Sequence, residues 1–150
     1  MKFKLLQIEL CWYKCIQKHK KLSWSKLFFI LWIYLNSSVQ VNKIGKQILG
    51  NEFVGVFPLD KIPYLSNNQA IIVNTQSSHL GGEHWIAIYV KPGNIFVFDP
   101  MGFYYPALLI SKLQTMGKPI VYNKTMFQNP LTQTCGQHCL AWLLYKKFDV

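Results

Sequence analysis

His84-Trp85-Ile86-Ala87-Ile88-Tyr89-Val90, then Lys91-Pro92-Gly93-Asn94, then Ile95-Phe96-Val97-Phe98-Asp99: this stretch decides the fold. Its two outer runs are rich in β-branched and aromatic residues and too short for ordinary helices, and the four residues between them have the composition of a hairpin loop. If Val90 pairs with Ile95 across that loop, Ile86 falls opposite Asp99. His84, two residues before Ile86 and on the same face, then becomes a diagonal neighbour of Asp99. Diagonal positions lie ~7–8 Å apart, within reach of an imidazole meeting a carboxylate. A register slip of one residue would send the two side chains to opposite faces, so loop length carries the prediction.

Working outward, Ala70-Ile71-Ile72-Val73-Asn74 reads as a buried strand and Phe53-Val54-Gly55-Val56-Phe57 as a short extended segment, with turn-rich Pro58 to Asn68 between them. Downstream, Leu108 to Met116 reads as a helix, Pro119 to Tyr122 as a short strand and Gln128-Asn129-Pro130 as a turn. The last element, Cys135 to Lys147, has the composition of a helix. Thr132 and Thr134 are candidate N-caps, and Lys146 and Lys147 sit where the negative end of the macrodipole favours cations. Cys135 is therefore expected in the first turn, where oriented N–H groups lower a thiol's pKa.

Nucleophilic cysteine catalysis needs an activated thiol, a base, a group that fixes the base, and donors aimed at the developing oxyanion. Cys135, His84 and Asp99 suit the first three roles. The side-chain amide of Gln128, seven residues before Cys135, suits the fourth together with the Cys135 backbone N–H. Gly136 removes a side chain beside the nucleophile, and Gly81-Gly82 lets the chain turn before His84. Each residue alone has an ordinary reading: a surface histidine, an inert buried thiol, an Asp-Pro turn opener, a solvated glutamine. Their joint placement is what points to one mechanism.

Ala70-Ile71-Ile72-Val73-Asn74-Thr75, Gly81-Gly82-Glu83-His84-Trp85-Ile86-Ala87, Phe98-Asp99-Pro100-Met101-Gly102-Phe103, Gln128-Asn129-Pro130 and Thr134-Cys135-Gly136-Gln137-His138-Cys139 together resemble the adenovirus-type cysteine endopeptidases, or adenain-like enzymes, and their relatives in Maverick/Polinton transposons. The SUMO-deconjugating proteases are a more distant likeness. The resemblance covers about Glu52 to Tyr145 and rests on the order His, acid, Gln, Cys.

It implies an α+β fold of papain-like architecture, a mixed central sheet with the nucleophile-bearing helix packed on it. It assigns His84 as base, Asp99 as orienting acid, Gln128 as oxyanion donor and Cys135 as nucleophile. Trp85, Gly82 and Gly136 are the substrate-groove candidates. The implied activity is cleavage of viral or transposon precursor proteins, after small residues such as Gly. No cofactor is required; DNA or an activating peptide is carried over as an accessory. The host nucleus is carried over as a location. The implied enzyme extends beyond its nucleophile helix, so a chain ending at Val150 is expected to be truncated at the C-terminus.

At 150 residues, with 51% hydrophobic composition, the chain suits one ordered domain. Its net charge of +10 is uneven, since nine of the sixteen lysines and one of the six acids fall in residues 1–50. We divide the chain into a basic, helical segment, residues 1–49, and a protease-like domain, residues 50–150. Met1 to Leu35 reads as helical and Asn36 to Gly50 as polar and less patterned. The lysine excess, without any Arg, fits either attraction to an anionic partner or A/T-rich coding.

The apolar run Leu27 to Leu35 is too short to span a membrane and poorly placed for a secretion signal. The cysteines fall as two i, i+4 pairs, Cys11/Cys15 and Cys135/Cys139, a poor disulfide geometry on a helix. A reducing intracellular compartment is therefore expected; the chain is also expected to be a monomer. Two rival readings remain. One is a metal- or nucleic-acid-binding module using Cys11, Cys15, His19, Cys135, His138 and Cys139, although neither cysteine pair has C-x₂-C spacing. The other is a protease-like binding protein without turnover.

Overall fold

A computed structural model of the chain describes residues 37–75, 84–102, 105–124, 126 and 135–148. Five strands form one sheet in sequence order: β1 (Phe53–Pro58), β2 (Gln69–Asn74), β3 (Trp85–Val90), β4 (Ile95–Phe98) and β5 (Ile120–Tyr122). The sheet is mixed. β1 runs parallel to β2, β2 and β3 are antiparallel, β3 and β4 are antiparallel, and β4 runs parallel to β5. The central hairpin pairs Val90 with Ile95 and Ala87 with Phe98, the register that the four-residue loop implies.

Among the described residues three α-helices flank the sheet: α1 (Ser38–Leu49), α2 (Ala107–Gln114) and α3 (Cys135–Phe148). Strand periodicity divides the core in two. Ala70, Ile72, Trp85, Ala87, Tyr89 and Phe98 face α1 and α3, whose Val41, Leu49, Cys139, Leu140 and Leu143 complete that layer. Ile71, Val73, Ile86, Ile88, Val90, Ile95 and Val97 face the other way, onto Leu109 and Leu113 of α2. Helices on both faces explain why β2 and β3 are near-continuous apolar runs instead of alternating ones. α2 is the crossover that a parallel β4–β5 pair requires. The α+β class and the mixed sheet with the Cys135 helix packed on it are thus as expected.

Residues 38–49, the polar and less patterned end of the basic segment in the sequence reading, are a helix. The Ser37 hydroxyl accepts from the Gln40 N–H at 3.2 Å, and the chain leaves through Gly50 at φ 65°. Val41, Ile44, Gly45, Ile48 and Leu49 follow helical spacing and form its inner face. Gly45 reads as punctuation in sequence but is a contact in space: a Cβ there would lie 2.3 Å from Cε1 of the Phe53 ring.

Gly45→Ala is therefore expected to lower the unfolding free energy by about 1–3 kcal/mol. That is opposite in sign to the ~1 kcal/mol that alanine ordinarily adds to a helix. Urea denaturation checks it, and an unchanged or raised midpoint would mean that Phe53 can swing aside.

The first two turns of α3 are buried nearly all round, from Cys135 to Ala141. Trp142 stacks on Phe98 with ring centroids 5.1 Å apart, and Lys147 Nζ donates to the Leu49 carbonyl at 3.0 Å, tying the end of α3 to the end of α1. No described helix is long and apolar enough to cross a membrane.

Candidate active site

His84 lies one residue before β3, and its carbonyl accepts from the Thr75 N–H at 2.9 Å, which fixes the entry to the strand. Asp99 lies one residue after β4 and is fully buried. Continuing the register past Ala87 and Phe98 sets Asp99 opposite Ile86, with His84 on the diagonal. The ring closes that gap: His84 Nε2 and Asp99 Oδ1 are 2.5 Å apart.

The Asp-Pro-Met-Gly sequence makes the carboxylate's own cradle. Asp99 Oδ1 also accepts from the Met101 N–H at 2.9 Å, an Asx-turn contact, while the Asp99 carbonyl accepts from the Gly102 N–H at 2.9 Å. Gly102 closes this turn at φ 77°, a conformation that disfavours a side chain.

Cys135 opens α3 and is buried at 4% exposure. It meets the same ring. Burial alone would lower the His84 pKa, but hydrogen bonding to Asp99 and then to Cys135, reinforced by their negative charges, raises it from 6.5 to about 9. With Nε2 committed to Asp99, Nδ1 is the nitrogen left for sulfur. His84 is thus an imidazolium at neutral pH, held between a carboxylate and a thiol at a helix N-terminus.

The neighbouring groups of α3 differ. His138, one turn along, is buried and lowered to about 4 by that burial, so it is neutral. Cys139 is fully buried, and its Sγ donates to the Trp85 carbonyl at 3.4 Å. Burial first, then the negative charges of Cys135 and Asp99, pushes its thiol well above the ordinary range. Of the two cysteines of α3, both free, only Cys135 has a charged base beside it among the described residues.

Trp85 and Gly136 lie against each other in the core beneath the site. Trp85 is 7% exposed, and a Cβ on Gly136 would lie 3.1 Å from Val41 Cγ2 and 3.4 Å from Trp85 Cε3. The glycine after Cys135 therefore lets α3 approach α1 and β3 closely. Gln128 and Gly82 lie outside the described residues, as do Cys11, Cys15 and His19. No group of three His, Cys, Asp or Glu side chains among the described residues is arranged to hold a metal ion.

Sequence reasoning missed Asn123. Its side chain bonds both peptide groups of Asp99: Oδ1 accepts from the Asp99 N–H at 2.8 Å and Nδ2 donates to the Asp99 carbonyl at 2.6 Å. Tyr105 was missed with it; its hydroxyl lies 2.6 Å from Asn123 Oδ1 and 2.8 Å from the Asn123 carbonyl. No local signal marks either residue. The nearest clue is a polar residue directly after the Ile120-Val121-Tyr122 strand.

Comparison with known proteins points to one family. A family model described as adenovirus endoprotease matches residues 53–148. A protein named Protease from Bovine adenovirus C serotype 10 is 33% identical, the alignment covering 51% of this chain and 47% of that one. One of the same name from Porcine adenovirus A serotype 3 is 30% identical over 61% of this chain and 54% of the relative. One from Human adenovirus B serotype 3 is 33% identical over 48% and 42%. The chain spans about half the length of the curated relatives it matches. With a fold of the expected class and a family match that runs from β1 to the end of α3, the chain belongs to the adenovirus endoprotease family.

Proposed function

We propose that this chain carries a cysteine-type endopeptidase centre in which Cys135 is the nucleophile, His84 the acid–base group and Asp99 the residue that orients it. The observation that supports this most is the His84 ring shared between Asp99 and the thiol of the final helix. The Cys135 thiolate attacks the scissile carbonyl carbon, and negative charge moves to its oxygen. The Cys135 N–H and the Gln128 side-chain amide receive that oxyanion. As the intermediate collapses, the imidazolium gives its proton to the leaving amine, the C–N bond breaks and a thioester remains. Neutral His84 then takes a proton from water, whose oxygen attacks the thioester and releases the acid and the thiolate.

The proposed substrates are viral or transposon precursor proteins cut after small residues such as Gly. DNA or an activating peptide is the proposed accessory, with no resident cofactor. A reducing intracellular setting suits a mechanism that needs a free thiol, with the host nucleus as the proposed site and a monomer as the working form.

The test is alkylation of the full chain by iodoacetamide, followed by peptide mass mapping, beside hydrolysis of casein. Selective modification of Cys135 that falls at least about tenfold at neutral pH in His84→Ala is expected. Labelling unchanged by that substitution would remove the activated pair, and no labelling at all would favour a protease-like binding protein without turnover.

The pH dependence has a definite sign. Hydrolysis is expected to fall as pH rises through about 9, where the imidazolium loses the proton needed by the leaving amine. The folded-state value lies above the ordinary 6.5 of the unfolded chain, so the His84 charge stabilises the fold fully below 6.5 and ceases to do so as pH rises through about 9. Urea midpoints across that window check the second statement. A flat profile would contradict it.

A further inference from the structure

The clamp on Asp99 reaches it from an element that takes no part in the chemistry. β4 and β5 pair in parallel through Ile95 with Ile120, Phe96 with Val121 and Val97 with Tyr122, and the Asn123 N–H makes a last long contact of 3.4 Å to the Val97 carbonyl. From there β4 runs on to the acid, and the Asn123 carboxamide substitutes for a strand, offering one acceptor and one donor to the peptide groups of Asp99.

The orientation of that amide is fixed by its partners. Turned over, its NH₂ would face the Asp99 N–H and its oxygen the Asp99 carbonyl, so both contacts would be repulsive. Tyr105 braces this side chain, its hydroxyl lying within hydrogen-bond reach of both the Asn123 carbonyl and Oδ1.

We propose that Asn123, held by Tyr105, is a positioning residue that sets where the Asp99 carboxylate meets the His84 ring. The inference rests on the catalytic reading of His84, Asp99 and Cys135. It assigns to the end of β5 a function in that site which neither residue type nor spacing announces.

Asp99 is fully buried, so its backbone N–H has no water to fall back on if the amide is removed. The residue would shift to find another partner, and its carboxylate would move with it. A bond of 2.5 Å to the ring tolerates little displacement. Among the described residues, the titratable groups that act on His84 are Asp99 at the end of β4 and Cys135 on α3. Those around Asp99 also include Tyr105, before α2, and Cys139 on α3, which stays a neutral thiol. A loosened carboxylate should therefore appear as a lower imidazolium pKa.

The full chain and its variants are alkylated with iodoacetate, whose anion is drawn to the imidazolium, and the Cys135 rate per folded molecule is followed against pH. In the unaltered chain the rate should fall as pH rises through about 9. In Asn123→Ala that limb is expected at least about 0.5 unit lower, and in Tyr105→Phe it moves by less in the same direction. Loss of stability alone would reduce the folded fraction and leave the limb in place. A limb unmoved in folded Asn123→Ala overturns the proposal. If that variant does not fold, an unmoved limb in Tyr105→Phe overturns it instead. Asp99→Ala separates the two levels. If that substitution also leaves the limb in place, the catalytic reading itself has failed; if it moves the limb while the Asn123 and Tyr105 variants do not, only the positioning role has failed.

Discussion

Cys135→Ser is expected to lower kcat/KM for peptide hydrolysis by about 10⁴-fold or more, and adding His84→Ala to it should cost almost nothing further. The physical reason is the proposed imidazolium–thiolate pair. The setting at the head of α3 can hold a thiolate opposite the imidazolium, whereas a serine hydroxyl there stays protonated because its intrinsic acidity is many orders of magnitude weaker. Once the nucleophile is gone, the base has no thiolate to sustain, so the second substitution removes little. His84→Ala alone should be nearly as damaging as the loss of sulfur. Kinetics on casein or short Gly-containing peptides for the two single variants and the double variant form the cycle. Fully additive losses would mean that the two groups do not act as a unit and would remove the pair from the mechanism.

Asp99→Ala should reduce kcat by about 10²-fold or more while KM changes little, because Asp99 meets the base and not the substrate. Without the carboxylate the ring loses the strongest influence raising its pKa, and burial, which opposes the charge, gains weight. The alkaline limb should then move from about 9 toward 6.5, and at neutral pH a large fraction of the molecules would lack the imidazolium. Rate profiles from pH 6 to 10 on the same peptides would read both effects. A variant that lost activity with its limb still near 9 would show that Asp99 serves folding alone.

The hairpin from His84 to Asp99 was legible because loop length and strand period are both local properties, and together they fix the register that brings the two side chains onto one diagonal. The strands around it and α3 were legible for the same reason: their apolar runs, lengths and flanking turns are written in consecutive residues. α1 was harder. Its apolar positions 41, 44, 45, 48 and 49 follow helical spacing, but one is Gly45, which signals interruption until the Phe53 ring filling its missing side chain is known.

Gly136 has a packing part that its place beside Cys135 does not announce: its absent side chain admits Val41 and Trp85. Asn123 was out of reach altogether. Its partner is 24 residues away, across a parallel ladder whose register is set only after α2 has crossed the sheet.

The separations between the reacting groups also carry a consequence for when reactivity is acquired. Imidazole and carboxylate are 15 residues apart on one hairpin, so a short closure joins them. Sulfur arrives from far downstream, with the docking of the last helix, over a span like the 54 residues between Cys139 and Trp85. A nascent or misassembled copy would therefore carry only an ordinary thiol, harmless to the proteins around it. Electrophile sensitivity at Cys135 should appear late in refolding, in step with burial of the helix, as a chemical timestamp of completed assembly.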